Sequence, residues 1–132
     1  MILVDSSVWI DAHRKKSTPE VEFLRTLLRD SSAHVCLSHI IYFEVLRGIS
    51  SELERKRAQK VLDLCQCFDY TNDDFSSTIS LYRKCQKMGL NSPKLGDWLI
   101  LKTVLDHSLE LLTSDRGFSR IHQIHPFKLI VL

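Results

Sequence analysis

Short apolar runs alternate with longer amphipathic stretches along the whole chain, and this alternation restricts the possible folds more than any other feature of the sequence. Residues 2–4 (Ile-Leu-Val), 35–37 (Val-Cys-Leu), about 67–70 (Cys-Phe-Asp-Tyr), 109–112 (Leu-Glu-Leu-Leu) and 127–132 (Phe-Lys-Leu-Ile-Val-Leu) read as strands. Helices separate them. Ser17 with Glu20 frames a capping box around Pro19, after which Val21, Leu24, Leu27 and Leu28 recur at helical spacing. Ser51 with Glu54 frames a second box ahead of Ala58, Val61, Leu62 and Cys65. Asn72 is placed to cap a third helix with the stripe Phe75, Ile79, Tyr82 and Cys85, and Gly89 is its natural stop. After the loop "LNSPKLG", residues 97–107 form an apolar helix with Leu101, Val104 and Leu105 inward. The pattern predicts an α/β fold: a three-layer sandwich with a mainly parallel central sheet of about five strands and right-handed crossovers. No repeat or low-complexity linker interrupts it, so residues 1–132 are read as a single domain.

Several function classes are disfavoured by composition. A net charge of +2 does not by itself call for nucleic acid. Basic residues nevertheless cluster at Arg14, Lys15 and Lys16, at Arg55, Lys56, Arg57 and Lys60, and at Arg83, Lys84 and Lys87, where they form solvated helix faces or phosphate contacts. The four cysteines, Cys36, Cys65, Cys67 and Cys85, sit in apolar or helical patterns without a C-x-x-C pair, and read as buried free thiols. The N-terminus lacks the basic and long apolar segments of a signal peptide, and no stretch is long and apolar enough to span a membrane. A cytoplasmic protein is expected.

In open parallel sheets ligands bind outside the carboxyl ends of the strands. The first strand ends at Asp5 and the fourth, in "LELLTSDRGF", ends at Asp115, so both should project at one rim. Glu44 lies about a turn into the helix after the second strand, in "SHIIYFEVLRG", and Asp97 begins the helix after "SPKLG". Each has a simpler reading. Asp97 could cap its helix, Glu44 could pair with Arg47, and Asp5 and Asp115 could be turn residues. Taken together they are harder to dismiss, because four converging carboxylates repel by up to about 4 kcal/mol per close pair. At least one of them should have a raised pKa. A divalent cation would offset the repulsion, and oxygen ligands without His or Cys select Mg²⁺ or Mn²⁺ over zinc.

These stretches carry a family resemblance. "ILVDSSVWID", "LSHIIYFEVLRG", "KLGDWLI" and "LLTSDRGF" resemble, in order, the four acidic motifs of PIN-domain ribonucleases, and the chain is most similar to VapC-type toxins of toxin–antitoxin pairs. The resemblance implies that Asp5, Glu44, Asp97 and Asp115 hold the metal, with Asp5 and Asp97 as principal anchors. Ser7 and Thr113 match the small polar residues beside the first and fourth acids. Ser6 stands where the family more often has threonine. Gly117 stands where many members have a further acid, which implies a weak or absent second metal position.

The implied activity is Mg²⁺- or Mn²⁺-dependent endoribonucleolytic cleavage by metal-activated water, leaving 5′-phosphate and 3′-hydroxyl ends. One of Glu44 and Asp115 would accept the proton of the attacking water. The implied partners are an RNA substrate (a tRNA or an rRNA loop), a cognate antitoxin and a second copy of the chain. Arg14, Lys15, Lys16, Arg116 and Arg120 are the candidate RNA contacts. The alternative is a PIN-like module that binds RNA or a partner without cutting it. A haloacid-dehalogenase-like phosphatase requires an acid where Ser7 stands, and a receiver domain requires a late-strand lysine that is not evident. His122 and His125, in "IHQIHP", read as residues of a surface connection. Trp98 reads as helix packing ahead of base stacking, and Trp9 and Phe118 belong to the core or its edge.

Overall fold

The computed structural model describes residues 1–31, 34–90 and 94–132, so part of the loop expected before Asp97 lies outside the described residues. Strands β1 (Ile2–Val4), β2 (Val35–Ser38), β3 (Gln66–Phe68) and β4 (Glu110–Leu112) form one parallel sheet in the order β3-β2-β1-β4. Adjacent residues Leu3 and Val4, Cys36 and Leu37, and Leu111 and Leu112 are all fully buried. A strand buried on both faces cannot alternate polar with apolar residues, which is why these runs are continuously hydrophobic.

Among the described residues the sheet has four strands, not five. The expected strand at 127–132 is reduced to a single bridge, Leu111 to Leu129. The cause is the shortness of β4. Its residues Glu110 and Leu112 use backbone groups towards β1 and Asp5, so only Leu111 faces the open edge, where it bonds to Lys128 and Ile130 at 2.8 and 2.9 Å. Beyond that pair Val131 and Leu132 are exposed.

The helices are α1 (Ser6–His13), α2 (Pro19–Arg29), α3 (His39–Arg47), α4 (Glu52–Asp63), α5 (Asn72–Lys87), α6 (Leu95–Asp106) and α7 (Arg116–Ile124). They flank the sheet, with α1 against α2 and α3, and α5 against α6. Two caps fall one residue away from the expected position. Thr18, not Ser17, caps α2, because Pro19 occupies the first helical position and holds the residue before it extended. Thr71, not Asn72, caps α5 through a reciprocal box with Asp74. Ser51 caps α4 as expected, and Gly89 follows α5 at φ +97°.

Two expectations fail on burial. Phe75 and Ile79 of α5 are exposed, while Thr78 and Cys85 face the core. Thr78 can be buried because its hydroxyl donates to the Asp74 carbonyl at 2.7 Å, leaving no unpaired polar group. The stretch "IHQIHP" is no surface connection either. His122 lies on α7 with its ring edge-on to Phe127, and His125 closes the helix with Nδ1 buried. All four cysteines are free, as read from their surroundings, although Cys65 and Cys67 are only partly buried.

Candidate functional site

Strand order brings the first two acids together. Val4 pairs with Leu112, so the chain leaves β1 and β4 side by side, and the Asp5 backbone N–H donates to Leu112 at 2.9 Å. The order β3-β2-β1-β4 reverses direction between β1 and β4, the point at which an open α/β sheet forms a crevice. Asp5 stands there, only 4% exposed.

A directed hydrogen-bond network holds Asp5. Its Oδ2 accepts from Ser7 Oγ at 2.7 Å and from Thr113 Oγ1 at 2.9 Å. Each hydroxyl itself accepts a backbone N–H, Ser7 from Ser114 at 3.1 Å and Thr113 from Asp115 at 3.0 Å, which turns both hydroxyl protons towards the carboxylate. Burial nonetheless pushes the Asp5 carboxyl above its usual range; these donors oppose the shift and the Glu44 charge adds to it. Thr113→Val keeps the shape but removes the hydroxyl shared by Asp5 and the Asp115 amide. A loss of about 1–3 kcal/mol in folding free energy is therefore expected. Urea denaturation measures it, and an unchanged midpoint would mean that the network contributes nothing to stability.

The other acids approach from helices. Glu44 faces the start of α1, where its Oε2 accepts from Ser6 Oγ at 2.6 Å, and not the Arg47 side chain, whose guanidinium lies over the Phe43 ring at 5.6 Å. Asp97 is not the cap of α6. Lys94 is, and its carbonyl accepts the Asp97 N–H at 3.0 Å. The half-buried Asp97 carboxyl is pushed up to about 7, first by burial and then by the charges of Asp5, Asp115 and Glu44, with Lys94 opposing. Asp115 caps α7, its Oδ1 accepting from Gly117 N–H at 2.8 Å, so the turn reading holds for this residue in part.

The charges of Asp5, Asp115 and Glu44 all act on Asp97, so the fold has set the four carboxylates near one another at one rim against their mutual repulsion. Among the described residues, no three acidic, His or Cys side chains are already drawn together as metal ligands. The donor chemistry of the four carboxylates, oxygen only with an unbalanced negative charge, fits a hard divalent cation.

Of the candidate RNA contacts, Arg116 and Arg120 are exposed on α7. Arg116 lines an open hollow of about 400 Å³ together with Asp11, Thr18, Thr113 and Asp115. Arg14 and Lys15 are exposed at the end of α1, and Lys16 pairs with Asp11 at 2.9 Å. Trp98 is buried against Tyr82 and is not available for base stacking. Trp9 is buried with its indole N–H on the Val4 carbonyl, and Phe118 is also core. Two contacts at the rim escape a reading of the sequence. Ser6, noted in the sequence only for standing where the family more often has threonine, reaches Glu44 across 38 positions, which no local pattern reveals. Gly96 sits within the first turn of a helix, and a glycine in that setting is a visible but unspecific sign of close backbone approach.

Comparison with known proteins agrees with this architecture. The chain is 22% identical over 125 residues to Ribonuclease VapC11 of Mycobacterium tuberculosis, an alignment covering 94% of this chain and 93% of that protein. Among solved structures it resembles a toxin–antitoxin complex from Klebsiella pneumoniae (TM-score 0.73, 21% identity, 99% of this chain and 97% of that one). It also resembles VapC20 of M. tuberculosis, described as a sarcin–ricin loop cleaving toxin (TM-score 0.67, 12% identity, 92% and 95%). Both structural likenesses concern the fold. Residues 2–123 match the PIN domain profile, and with nearly the whole sequence included in that match the chain belongs to the PIN domain family.

Proposed function

We propose that this protein is a divalent-metal-dependent endoribonuclease, one nuclease domain over residues 1–132 acting in the cytoplasm as the VapC-type toxin of a toxin–antitoxin pair. The observation that carries the reading is the rim of four carboxylates, Asp5, Glu44, Asp97 and Asp115, in which Asp5, Glu44 and Asp115 each accept a hydrogen bond and Asp97 is pushed up to about 7 by burial and by the charges of the other three.

Asp5 and Asp97 would hold a Mg²⁺ or Mn²⁺ ion, and Glu44 and Asp115 would complete the set. When bound, such an ion acidifies a water molecule, clamps the phosphate and neutralises the charge that develops on its oxygens. The side chains do the rest. Ser7 and Thr113 aim the Asp5 carboxylate and favour its ionised form against burial; Asp115 is fixed by the Gly117 amide at the α7 N-terminus; one of Glu44 and Asp115 takes the proton of the attacking water. Arg116 and Arg120, with the Arg14–Lys16 segment, contact phosphates flanking the cut. Gly117 supplies no fifth acid, so a single tightly held ion is sufficient for the proposal.

The substrate class is structured RNA with an accessible loop, a tRNA or rRNA, in keeping with the fold shared with VapC20. Sequencing of the ends produced from total RNA in Mg²⁺ tests this. Discrete cuts with 5′-phosphate and 3′-hydroxyl are expected; no cutting, with RNA retained, would favour a non-cleaving binding module instead.

The partners are an antitoxin that lays an Arg or Lys among the acids and a second copy of the chain. Support for the second copy comes from α5, where exposed Phe75 and Ile79 lie between acidic Asp73 and Asp74 and basic Lys84 and Lys87. Two antiparallel α5 helices would pair those ends across a two-fold axis. Co-expression with the small protein encoded beside this one should yield a complex that sediments with two copies of this chain and cleaves no RNA. A lone monomer that binds no such product would remove both partners.

A further inference from the structure

We infer that Ser6 and Gly96 are positioning residues that together fix the Glu44 carboxylate at the acid rim, an inference that rests on the rim being the metal-binding and cleavage site. The two contacts act on different oxygens. Ser6 Oγ donates to Glu44 Oε2 at 2.6 Å, within the short range of hydroxyl–carboxylate hydrogen bonds. Ser6 directly follows Asp5 and opens α1, so one peptide link joins the first acid to the group that holds the second.

Gly96 acts by what it lacks. A β-carbon built there would lie 3.2 Å from Glu44 Oε1 and 3.3 Å from Ile40 Cγ2, closer than packed side chains ordinarily come. Its backbone is ordinary helix in the first turn of α6, one residue before Asp97, so a left-handed conformation does not account for the glycine. Alanine is the better helix former, and glycine at this position is explained by the clearance that Glu44 needs. A glutamate side chain has three rotatable bonds and much freedom to lose. With Oε2 tethered and Oε1 seated against a bare Cα, the second acid is held beside the third without any help from Arg47.

The two residues predict opposite effects on folding and the same effect on function, which separates positioning from general structural support. Calorimetric Mn²⁺ titration and RNA cleavage should be measured on wild type, Ser6→Ala, Ser6→Thr and Gly96→Ala, alongside thermal melts. Ser6→Ala and Gly96→Ala should each weaken Mn²⁺ binding by about tenfold, the loss typical when a partner of a metal ligand is removed, and slow cleavage in proportion. Gly96→Ala should do so with an unchanged or raised melting temperature, and Ser6→Thr, which keeps the hydroxyl, should bind Mn²⁺ as wild type does. A wild type that binds Mn²⁺ and cleaves, with both alanine variants equal to it, overturns the positioning role alone. A wild type that neither binds nor cleaves removes the reading of the rim, and this inference with it.

Discussion

Asp97→Asn should reduce RNA cleavage by about a thousandfold or more while leaving the protein folded. The expected size follows from removing a principal ligand of a catalytic ion, whose charge stabilisation and water activation are worth several kcal/mol in the transition state. The fold should survive because Asp97 caps nothing: Lys94 begins α6, and the buried anchors of that helix are Trp98, Leu99, Ile100 and Leu101. Single-turnover cleavage of a defined RNA and a circular dichroism spectrum check the two halves. Activity equal to wild type would place the chemistry elsewhere.

The same substitution should stabilise the metal-free protein. In the folded state the Asp97 carboxyl sits at about 7 against an ordinary 3.8, because burial and three neighbouring acids disfavour its charge. A folded-state pKa raised above the unfolded one makes an acid destabilising wherever it is ionised in both states, and the cost is relieved as pH falls from about 7 towards 4. The full conversion of that shift, about 4 kcal/mol, overstates a half-buried group screened by solvent, so about 1–2 kcal/mol is expected above neutral pH. Asn gives up the favourable placement of a carboxylate in a helix's first turn, an opposing effect of about 0.3–1 kcal/mol that is too small to reverse the sign. The melting temperature in EDTA should therefore rise by a few degrees, and the gap to wild type should close as pH is lowered. Mn²⁺ should raise the wild-type melting temperature, since it binds only the folded rim, and should not move the variant. A variant less stable in EDTA, yet equally stabilised by Mn²⁺, would show that Asp97 is an ordinary helix residue.

The positions of Asp5 and Asp115 could be read from the sequence because the physics that places these two is local to strand ends. A continuously apolar run stopped by Asp, as at Val4–Asp5 and near Leu112–Asp115, marks the carboxyl edge of a buried parallel strand. What escaped was of two kinds. The contact of Ser6 with Glu44 and the network of Ser7 and Thr113 on Asp5 join distant positions, and only the β1–β4 pairing brings them together. Helix α7 was hidden for the opposite reason, since Phe118 and Ile121 do have helical spacing but Gly117, Gln123 and Pro126 around them suggest a loop. Asp115 resolves that ambiguity in the structure by capping the helix. The exposed Phe75 and Ile79 misled in a third way: an apolar stripe on α5 predicts burial, and here Thr78 is buried in its place with its hydroxyl satisfied inside the helix.

The most direct test of the account is to follow RNA cleavage and calorimetric Mn²⁺ binding on the same preparation across one range of Mn²⁺ concentration. If the four carboxylates hold the ion that does the chemistry, the two curves share a midpoint and both vanish in EDTA and in Asp97→Asn. Cleavage that persists in EDTA, or Mn²⁺ binding that Asp97→Asn leaves unchanged, would contradict it.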